Sequence, residues 1–159
     1  MRAHAQAVVG SASFTGPGVY NIRSRSSGLV LDIDVSWFHG QDDGQHLMQW
    51  AAHGGLNQQF QVIDAGGGTF MLLARHSRRA VDVTAASVAD HAELQQWTRL
   101  GGDNQRFRIE AVGDFYRIVA VNSGKVLDVP GFSRDDGARI QQMPWNGGDN
   151  QQFQFTAVL

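Results

Sequence analysis

The chain has 159 residues, of which 42% are hydrophobic and 18% are charged, and its 13 Lys and Arg against 15 Asp and Glu give a net charge of −2. This length fits one globular domain with a core of its own. The absence of cysteine excludes disulfides, Cys-ligated metals and cysteine nucleophiles. The near-neutral charge argues against binding to nucleic acid or to anionic membranes, and no apolar stretch is long enough to predict insertion into a membrane.

The first 17 residues differ in composition from the rest of the chain. They are rich in Ala, Ser and Gly and end in Gly16-Pro17, which is typical of flexible tails and linkers. We therefore predict a tail or linker over residues 1–17 and one folded domain over residues 18–159. We expect no signal peptide in this start, because its apolar stretches are too short. The localisation stays open, since a longer precursor could carry such a signal.

From residue 18 onward, short apolar runs alternate with clusters of Gly, Asn, Asp and Ser, a pattern typical of strands and tight turns. Glycine is frequent, with 19 residues, whereas proline occurs 3 times. The predicted strands, in chain order, are Val19–Ile22, Val30–Ile33, Leu47–Trp50, Phe60–Val62, Phe70–Leu73, Ala80–Val83, Leu94–Trp97, Phe107–Ile109, Tyr116–Val119, Val126–Val129, Ile140–Met143 and Phe153–Phe155.

Three segments of the folded part repeat one another. Each ends in Asn-Gln-x-Phe, and the three phenylalanines, Phe60, Phe107 and Phe153, are 47 and 46 residues apart. Each segment holds four predicted strands. Such a unit could be a propeller blade, but propellers need about four or more blades, whereas three units of four strands close as a trefoil barrel. We therefore predict an all-β fold, a β-trefoil with pseudo-threefold symmetry, with these phenylalanines in its core.

An aspartate occupies the middle of one apolar strand triplet in every repeat: Asp32, Asp82 and Asp128. A carboxylate in such a place needs partners, because its desolvation is costly. Two interpretations are open. Either each Asp caps a turn and accepts backbone N–H bonds, or each lies at the rim of a shallow pocket and accepts hydrogen bonds from the hydroxyl groups of a ligand.

A Trp and an Asn recur with this Asp. Trp50 follows Asp32 by 18 residues, Trp97 follows Asp82 by 15, and the Asn of the closing motif stands seven residues beyond each ring. A lone Trp after an apolar run is more often a core residue. Carboxylate, flat ring and amide together, however, are typical of sugar recognition, because the ring stacks on the C–H face of a pyranose while the polar groups bind its hydroxyls.

These motifs, together with the stretch VLDVPGFSRDDGARIQQMPWNGGDNQQF that ends at Phe153, resemble the ricin-B-type family of β-trefoil lectins. The resemblance covers the chain from residue 18 to its end. The family's usual closing motif is Gln-x-Trp, and Phe replaces that Trp in all three copies here. The resemblance implies noncovalent binding of carbohydrate, commonly of galactose-type sugars, at up to three sites, without catalysis and without a cofactor.

The resemblance also implies which side chains form each pocket: the Asp, a Gln two residues before the ring, the ring itself, and the Asn-Gln pair of the closing motif. The second repeat matches at every position, with Asp82, Gln95, Trp97, Asn104 and Gln105. The first repeat supplies Asp32, Trp50, Asn57 and Gln58, with Met48 in the place of the Gln. The third supplies Asp128, Gln141, Asn150 and Gln151, with Met143 in the place of the ring and Trp145 as the expected substitute.

A shallow sugar site of this kind binds at about the millimolar level. We therefore expect a multivalent lectin, in which several sites engage one branched or polymeric glycan at a higher effective concentration. The expected partner is a galactose-containing glycan or polysaccharide. An attached enzyme is a further expected partner if the chain is part of a longer protein.

Two other kinds of function have less support than carbohydrate binding. The six histidines have no metal-ligand spacing, and the pairs Asp42-Asp43 and Asp135-Asp136 precede Gly as in ordinary turns, so no metal site is predicted. Trefoils also act as protease inhibitors and receptor ligands through one protruding loop. The first-repeat loop, three residues longer than its counterparts and carrying Trp37, Phe38 and His39, suits that alternative, but the alternative leaves the threefold pattern unexplained.

Overall fold

The computed structural model describes residues 13–37 and 40–159 of the chain. All twelve predicted strands are present: six are longer by two to four residues than the apolar runs that predict them, four match those runs, and two are one residue shorter. The strands are β1 (Gly18–Ser24), β2 (Val30–Ile33), β3 (Leu47–Trp50), β4 (Phe60–Gly66), β5 (Thr69–Ala74), β6 (Ala80–Val83), β7 (Leu94–Trp97), β8 (Phe107–Val112), β9 (Phe115–Ala120), β10 (Val126–Asp128), β11 (Gln141–Met143) and β12 (Phe153–Ala157).

Six of these strands close a barrel. Strand β1 pairs with β4, β4 with β5, β5 with β8, β8 with β9, β9 with β12, and β12 again with β1, all antiparallel. The other six form three hairpins, β2–β3, β6–β7 and β10–β11, which are attached to β1, β5 and β9. A six-stranded barrel with one hairpin per repeat is the β-trefoil, so the predicted fold is confirmed.

The core is built from equivalent residues of the three repeats. The first residues of the strands after the closing motifs, Phe60, Phe107 and Phe153, have no exposed surface. These rings plug the barrel as predicted, and Phe can replace the family's Trp here because a wholly apolar surrounding requires no indole N–H. The turns need glycine where the backbone is left-handed: in the β4–β5 turn Gly66, Gly67 and Gly68 have φ values of 87, 61 and 78°.

One residue ahead of the predicted domain boundary packs against the barrel. The ring of Phe14 lies 5.4 Å from Tyr20, 5.2 Å from Phe70, 6.1 Å from Tyr116 and 5.1 Å from Phe155, measured between centroids. Three of these partners are equivalent residues of β1, β5 and β9, one per repeat. The segment just before residue 18 therefore contributes to the core, whereas a tail over the earliest residues stays a prediction, since 1–12 lie outside the described residues.

Short 3-10 helices set the closing motifs against the hairpins. They span Leu56–Gln58, Asp103–Gln105 and Asp149–Gln151, directly before β4, β8 and β12. Each brings its Asn-Gln pair beside the hairpin of the same repeat, next to the strand that carries the repeat's Asp. No helix in the described part of the chain is long and apolar enough to cross a membrane.

Candidate functional site

In the second repeat the predicted polar residues converge on one carboxylate. Asp82 lies on β6 opposite Gln95 on β7, and its Oδ1 accepts a hydrogen bond from Gln95 Nε2 at 3.1 Å. Its Oδ2 accepts bonds from Asn104 Nδ2 at 3.1 Å and from Gln105 Nε2 at 2.9 Å. The donors to this Asp are side-chain amides, so neither of the two interpretations left open describes it fully: the carboxylate is the centre of an amide network.

The amides of the closing motif have a second set of partners. Asn104 Nδ2 also donates to the Val83 carbonyl at 3.1 Å, and Gln105 Nε2 donates to the Thr98 carbonyl at 2.9 Å. The Gln105 Oε1 accepts the N–H groups of Leu100 and Gly101 at 2.9 and 3.0 Å. Gln105 therefore fixes the loop after β7, whereas Asp82 and Asn104 stand at the pocket.

An open cavity of about 480 Å³ lies against this network, lined by Asp82, Thr84, Ala85, Ala86, Gln95, Trp97, Leu100, Gly102, Asn104 and Gln105. All five residues predicted for the second repeat line it. Trp97 is 37% exposed, so its ring is a wall of the cavity rather than a core residue. A concave site with one flat apolar wall and clustered polar groups has the form of a sugar pocket.

Burial raises the pKa of Asp82, and the hydrogen bonds from Gln105, Gln95 and Asn104 oppose this rise. The carboxylate has room for about four hydrogen bonds on its two oxygens, and three are made within the protein. Its remaining acceptor capacity is on Oδ1, which receives the Gln95 amide alone.

The first repeat forms a related site with one donor fewer. Asp32 Oδ1 accepts a bond from Asn57 Nδ2 at 3.2 Å, and Oδ2 accepts one from Gln58 Nε2 at 2.8 Å. The side chain opposite Asp32 is Met48, which offers no amide. Asp32 and Asn57 line a cavity of about 540 Å³ together with Trp50, which is 39% exposed. Gln58 instead orders the neighbouring loop by accepting the His53 N–H at 2.9 Å.

Charged groups distinguish this first pocket from the second. Burial raises the pKa of Asp32 from its ordinary 3.8 to about 6, with the Gln58 hydrogen bond and nearby His53 opposing the rise and Asp34 adding to it. His53 Nε2 lies 3.7 Å from Asp32 Oδ2. His46, Asp34 and Arg139 also line the cavity, so a ligand here meets several titratable groups.

The third repeat keeps the polar network without the Trp. Asp128 Oδ1 accepts Gln141 Nε2 at 3.0 Å, and Oδ2 accepts Gln151 Nε2 at 2.9 Å and Asn150 Nδ2 at 3.4 Å. In the β10–β11 register, Met143 holds the position that Trp50 and Trp97 hold in the other hairpins. The polar network is therefore present in all three repeats, whereas a Trp ring on the second strand of the hairpin is present in the first two.

Trp145, the expected substitute for that ring, is engaged elsewhere. The Arg117 guanidinium of β9 lies over its ring, 5.0 Å from the centroid. Arg117 is itself held by Glu110, with Nη2 2.8 Å from Oε1. A site role for Trp145 stays a prediction.

Sequence reasoning missed a second set of glutamines at equivalent positions, one per hairpin: Gln49, Gln96 and Gln142, none of which has exposed surface. Gln96 Nε2 donates to the carbonyls of Gly40 and Asp42 at 2.6 and 2.8 Å, which lie in the loop of the preceding repeat. The other two make equivalent bonds to Ser133 and Asp135 and to Ser87 and Ala89. The signal in the sequence is a Gln directly before the ring position in every repeat.

Because of these hydrogen bonds, each site is bordered by residues of two repeats. The loop held by Gln49 places Gly137 where an added Cβ would lie 3.6 Å from Cζ3 of Trp50, and the loop held by Gln96 places Gly44 about equally close, 4.0 Å from Cζ3 of Trp97. Both glycines have left-handed backbone, with φ values of 88 and 93°. Of the long first-repeat loop, Trp37 is 67% exposed, and Phe38 and His39 lie outside the described residues.

The fold and the three networks define a class of protein, the carbohydrate-binding β-trefoil. The chain matches the family model described as ricin-type beta-trefoil lectin domain-like over residues 10–97 and 103–158. It therefore belongs to that family, and the resemblance drawn from the sequence is confirmed. None of the curated proteins compared with the chain matches it.

Three solved structures to which this chain is similar are described by their sequence identity, TM-score and coverage. The designed 3-fold symmetric protein ThreeFoil is 42% identical, with a TM-score of 0.84, over 89% of this chain and 99% of its own. An exo-beta-1,3-galactanase from Clostridium thermocellum is 36% identical, with a TM-score of 0.83, over 89% of this chain but only 30% of the enzyme. The Rhizoctonia solani agglutinin is 22% identical, with a TM-score of 0.82, over 92% of this chain and 99% of its own, and shows the fold alone.

Proposed function

We propose that the domain binds galactose-type glycans noncovalently and without catalysis, at shallow sites of which the second-repeat site is the best formed. One observation carries the proposal: the network of Asp82, Gln95 and Asn104 lies at one cavity with the exposed face of Trp97. A pyranose seated there would stack its apolar face on the indole and direct hydroxyl groups to the free acceptor capacity of the carboxylate and to the amides.

The choice of galactose as the sugar rests on the similarity of this chain to a solved structure. The relative from Clostridium thermocellum is named an exo-beta-1,3-galactanase, and this chain corresponds to about a third of its length. Such a portion of a galactan-degrading enzyme suits a module that holds the enzyme on its polysaccharide. Galactan, or a glycan ending in galactose, is therefore the partner that we propose, and an attached enzyme is the setting that agrees best with that relative.

The test is a glycan array on the folded domain, followed by titration of its best galactose-containing ligand. We expect Trp97→Ala to weaken binding at the second site about tenfold or more, because stacking is lost. The free energy of unfolding should change by only about 0.5 kcal/mol, because the ring is partly exposed.

Asp82→Ala should act differently from Trp97→Ala. It removes the acceptor shared by three side-chain amides, of which Gln95 and Gln105 are buried, so we expect both lost binding at this site and a free energy of unfolding lower by about 2 kcal/mol. Trp37→Ala is the matched aromatic control and should leave glycan binding unchanged. A blank array from well-folded protein would contradict the proposal and would direct attention to a protein partner at the Trp37 loop.

A further inference from the structure

The polar network of the third repeat is complete, but β11 carries Met143 where the corresponding strands of the other two sites carry a Trp. Where Gly44 and Gly137 lie beside a Trp ring, the third site has His91, in the same left-handed backbone with φ 69°. His91 Nδ1 lies 3.1 Å from Gln141 Oε1, and Gln141 donates in turn to Asp128. The imidazole thus stands on the side where the other sites have an indole, and Met143 replaces that indole.

An exposed aromatic ring lies on the opposite rim of this site. Phe132 ends the 3-10 helix Pro130–Phe132, directly after β10, and is 54% exposed. Its equivalent in the second repeat, Ala86 at the end of Thr84–Ala86, lines the second pocket. The position therefore borders the pocket in the second repeat, and the third repeat places a ring where the second has a methyl group.

The ring lies against Gly148, two residues before Asn150 of the polar network. An added Cβ on Gly148 would lie 3.2 Å from Phe132 Cζ and 2.6 Å from Asn150 Oδ1. Gly148 thus allows the ring edge and the amide to approach each other, and any side chain there would separate them. Asn150 is 5% exposed, and its Oδ1 is buried without a hydrogen-bond partner, which leaves one acceptor of the network unused.

The backbone of Phe132 is also unusual. Its φ is 54°, in the left-handed region that a bulky residue seldom adopts. Ala86 has nearly the same φ, 52°, so the turn itself imposes this conformation in both repeats. An alanine is accommodated at this backbone in the second repeat, which makes Phe132→Ala a conservative change for folding.

We propose that Phe132 is the stacking and specificity-determining residue of the third site, where a galactose-type sugar lies between its ring and the Asp128 and Asn150 side chains. This inference rests on the proposed function. A hydroxyl group of the bound sugar supplies the donor that Asn150 Oδ1 lacks once the exposed ring turns outward. The third site therefore stacks its sugar from the opposite rim to the other two sites, and the bound ring presents different hydroxyl groups to the solvent.

The test is a lactose titration followed by NMR through the side-chain amide signals of Asn57, Asn104 and Asn150, one per site. In the unchanged protein all three signals should shift. In Phe132→Ala the Asn150 signal should no longer shift at lactose concentrations that saturate the others, and Phe132→Tyr should restore the shift. Leu159→Ala, at an exposed apolar residue that follows β12, is the matched control and should leave all three responses intact.

Each other outcome overturns a particular statement. Shifts at Asn57 and Asn104 without one at Asn150 in the unchanged protein would show that the third site binds no sugar and would overturn this inference alone. An Asn150 shift that persists in Phe132→Ala would show that the ring is not the stacking surface. The absence of a shift at all three amides would overturn the proposed function, and this inference with it.

Discussion

Asp32 and Met48 lie directly opposite each other on β2 and β3, in the register that places Gln95 opposite Asp82 and Gln141 opposite Asp128. The carboxylate of the first site therefore lacks the cross-strand amide donor that the other two receive. Burial raises the pKa of Asp32 to about 6, and the missing amide leaves two side-chain amide donors in place of three to oppose that rise.

Replacing Met48 by Gln should restore the missing donor. A hydrogen bond to a charged group is worth about 1.5 kcal/mol or more, which corresponds to about one pH unit, so the pKa of Asp32 should fall from about 6 toward its ordinary range. The measurement is the pH titration of the Asp32 carboxyl carbon by NMR. The reverse change in the second repeat, Gln95→Met, is the matched control and should raise the pKa of Asp82. An unchanged titration in both variants would contradict the role of the cross-strand amide.

The raised pKa of Asp32 has opposite effects on stability and on binding. Because the folded protein holds this proton more tightly than the unfolded chain, the stability that Asp32 contributes is fully present below pH 3.8 and is lost as the pH rises through about 6. The difference between pKa values of 3.8 and about 6 corresponds to about 3 kcal/mol in the free energy of unfolding. Sugar binding at the first site needs the ionised acceptor, so it should weaken as the pH falls through about 6.

Both effects can be isolated with Asp32→Asn. Denaturant unfolding near pH 4 and pH 7.5 should show a pH dependence in the unchanged protein that is reduced by about 3 kcal/mol in the variant. The two proteins differ at this one side chain, so the difference between their pH dependences reports Asp32. Equal pH dependence in the two proteins would contradict the assignment of this change to Asp32.

The fold could be predicted from the sequence because its signals are local and repeated. Each apolar run is bounded by turn residues, and the spacing of Phe60, Phe107 and Phe153 by itself gives the number of repeats. The closure of the barrel follows from that number. The role of Phe14 could not be predicted in this way, because its four ring partners come from distant parts of the chain.

The site was predictable only where one repeat builds it. The hydrogen bonds from Gln95, Asn104 and Gln105 to Asp82 join residues of a single repeat, and the family resemblance had placed these residues in one pocket. The wall formed by His91 belongs to the second repeat but completes the third site, and a comparison of repeats position by position does not show which repeat lies beside which. The Arg117 contact that engages Trp145 lies within the third repeat, but the repeated pattern gives no signal for it.

The packing of Phe14 predicts that the residues just before β1 stabilise the domain. Removing a ring that contacts four others should lower the free energy of unfolding by about 2 to 3 kcal/mol in Phe14→Ala, measured by denaturant unfolding. Val88→Ala removes exposed apolar atoms and should change it by no more than about 0.5 kcal/mol. Equal stabilities of the two variants would show that the ring is dispensable and that the domain begins at residue 18.

In the third site, His91 and Met143 occupy the positions that hold a Gly and a Trp in the other two sites. Mutation can restore that Gly and Trp. At the equivalent places an added Cβ would be in ordinary van der Waals contact with the Trp ring, at 3.6 or 4.0 Å, so we expect the imidazole that extends beyond the Cβ of His91 to compete for space with a Trp at position 143. We expect Met143→Trp alone to leave lactose binding at the third site unimproved, whereas His91→Gly with Met143→Trp should strengthen it about tenfold, since stacking is worth about 1.4 kcal/mol. The Asn150 amide signal provides the measurement for both variants. Equal binding by the single and the double variant would contradict the steric role of His91, because removal of its side chain would then have no effect on binding in the presence of a Trp at position 143.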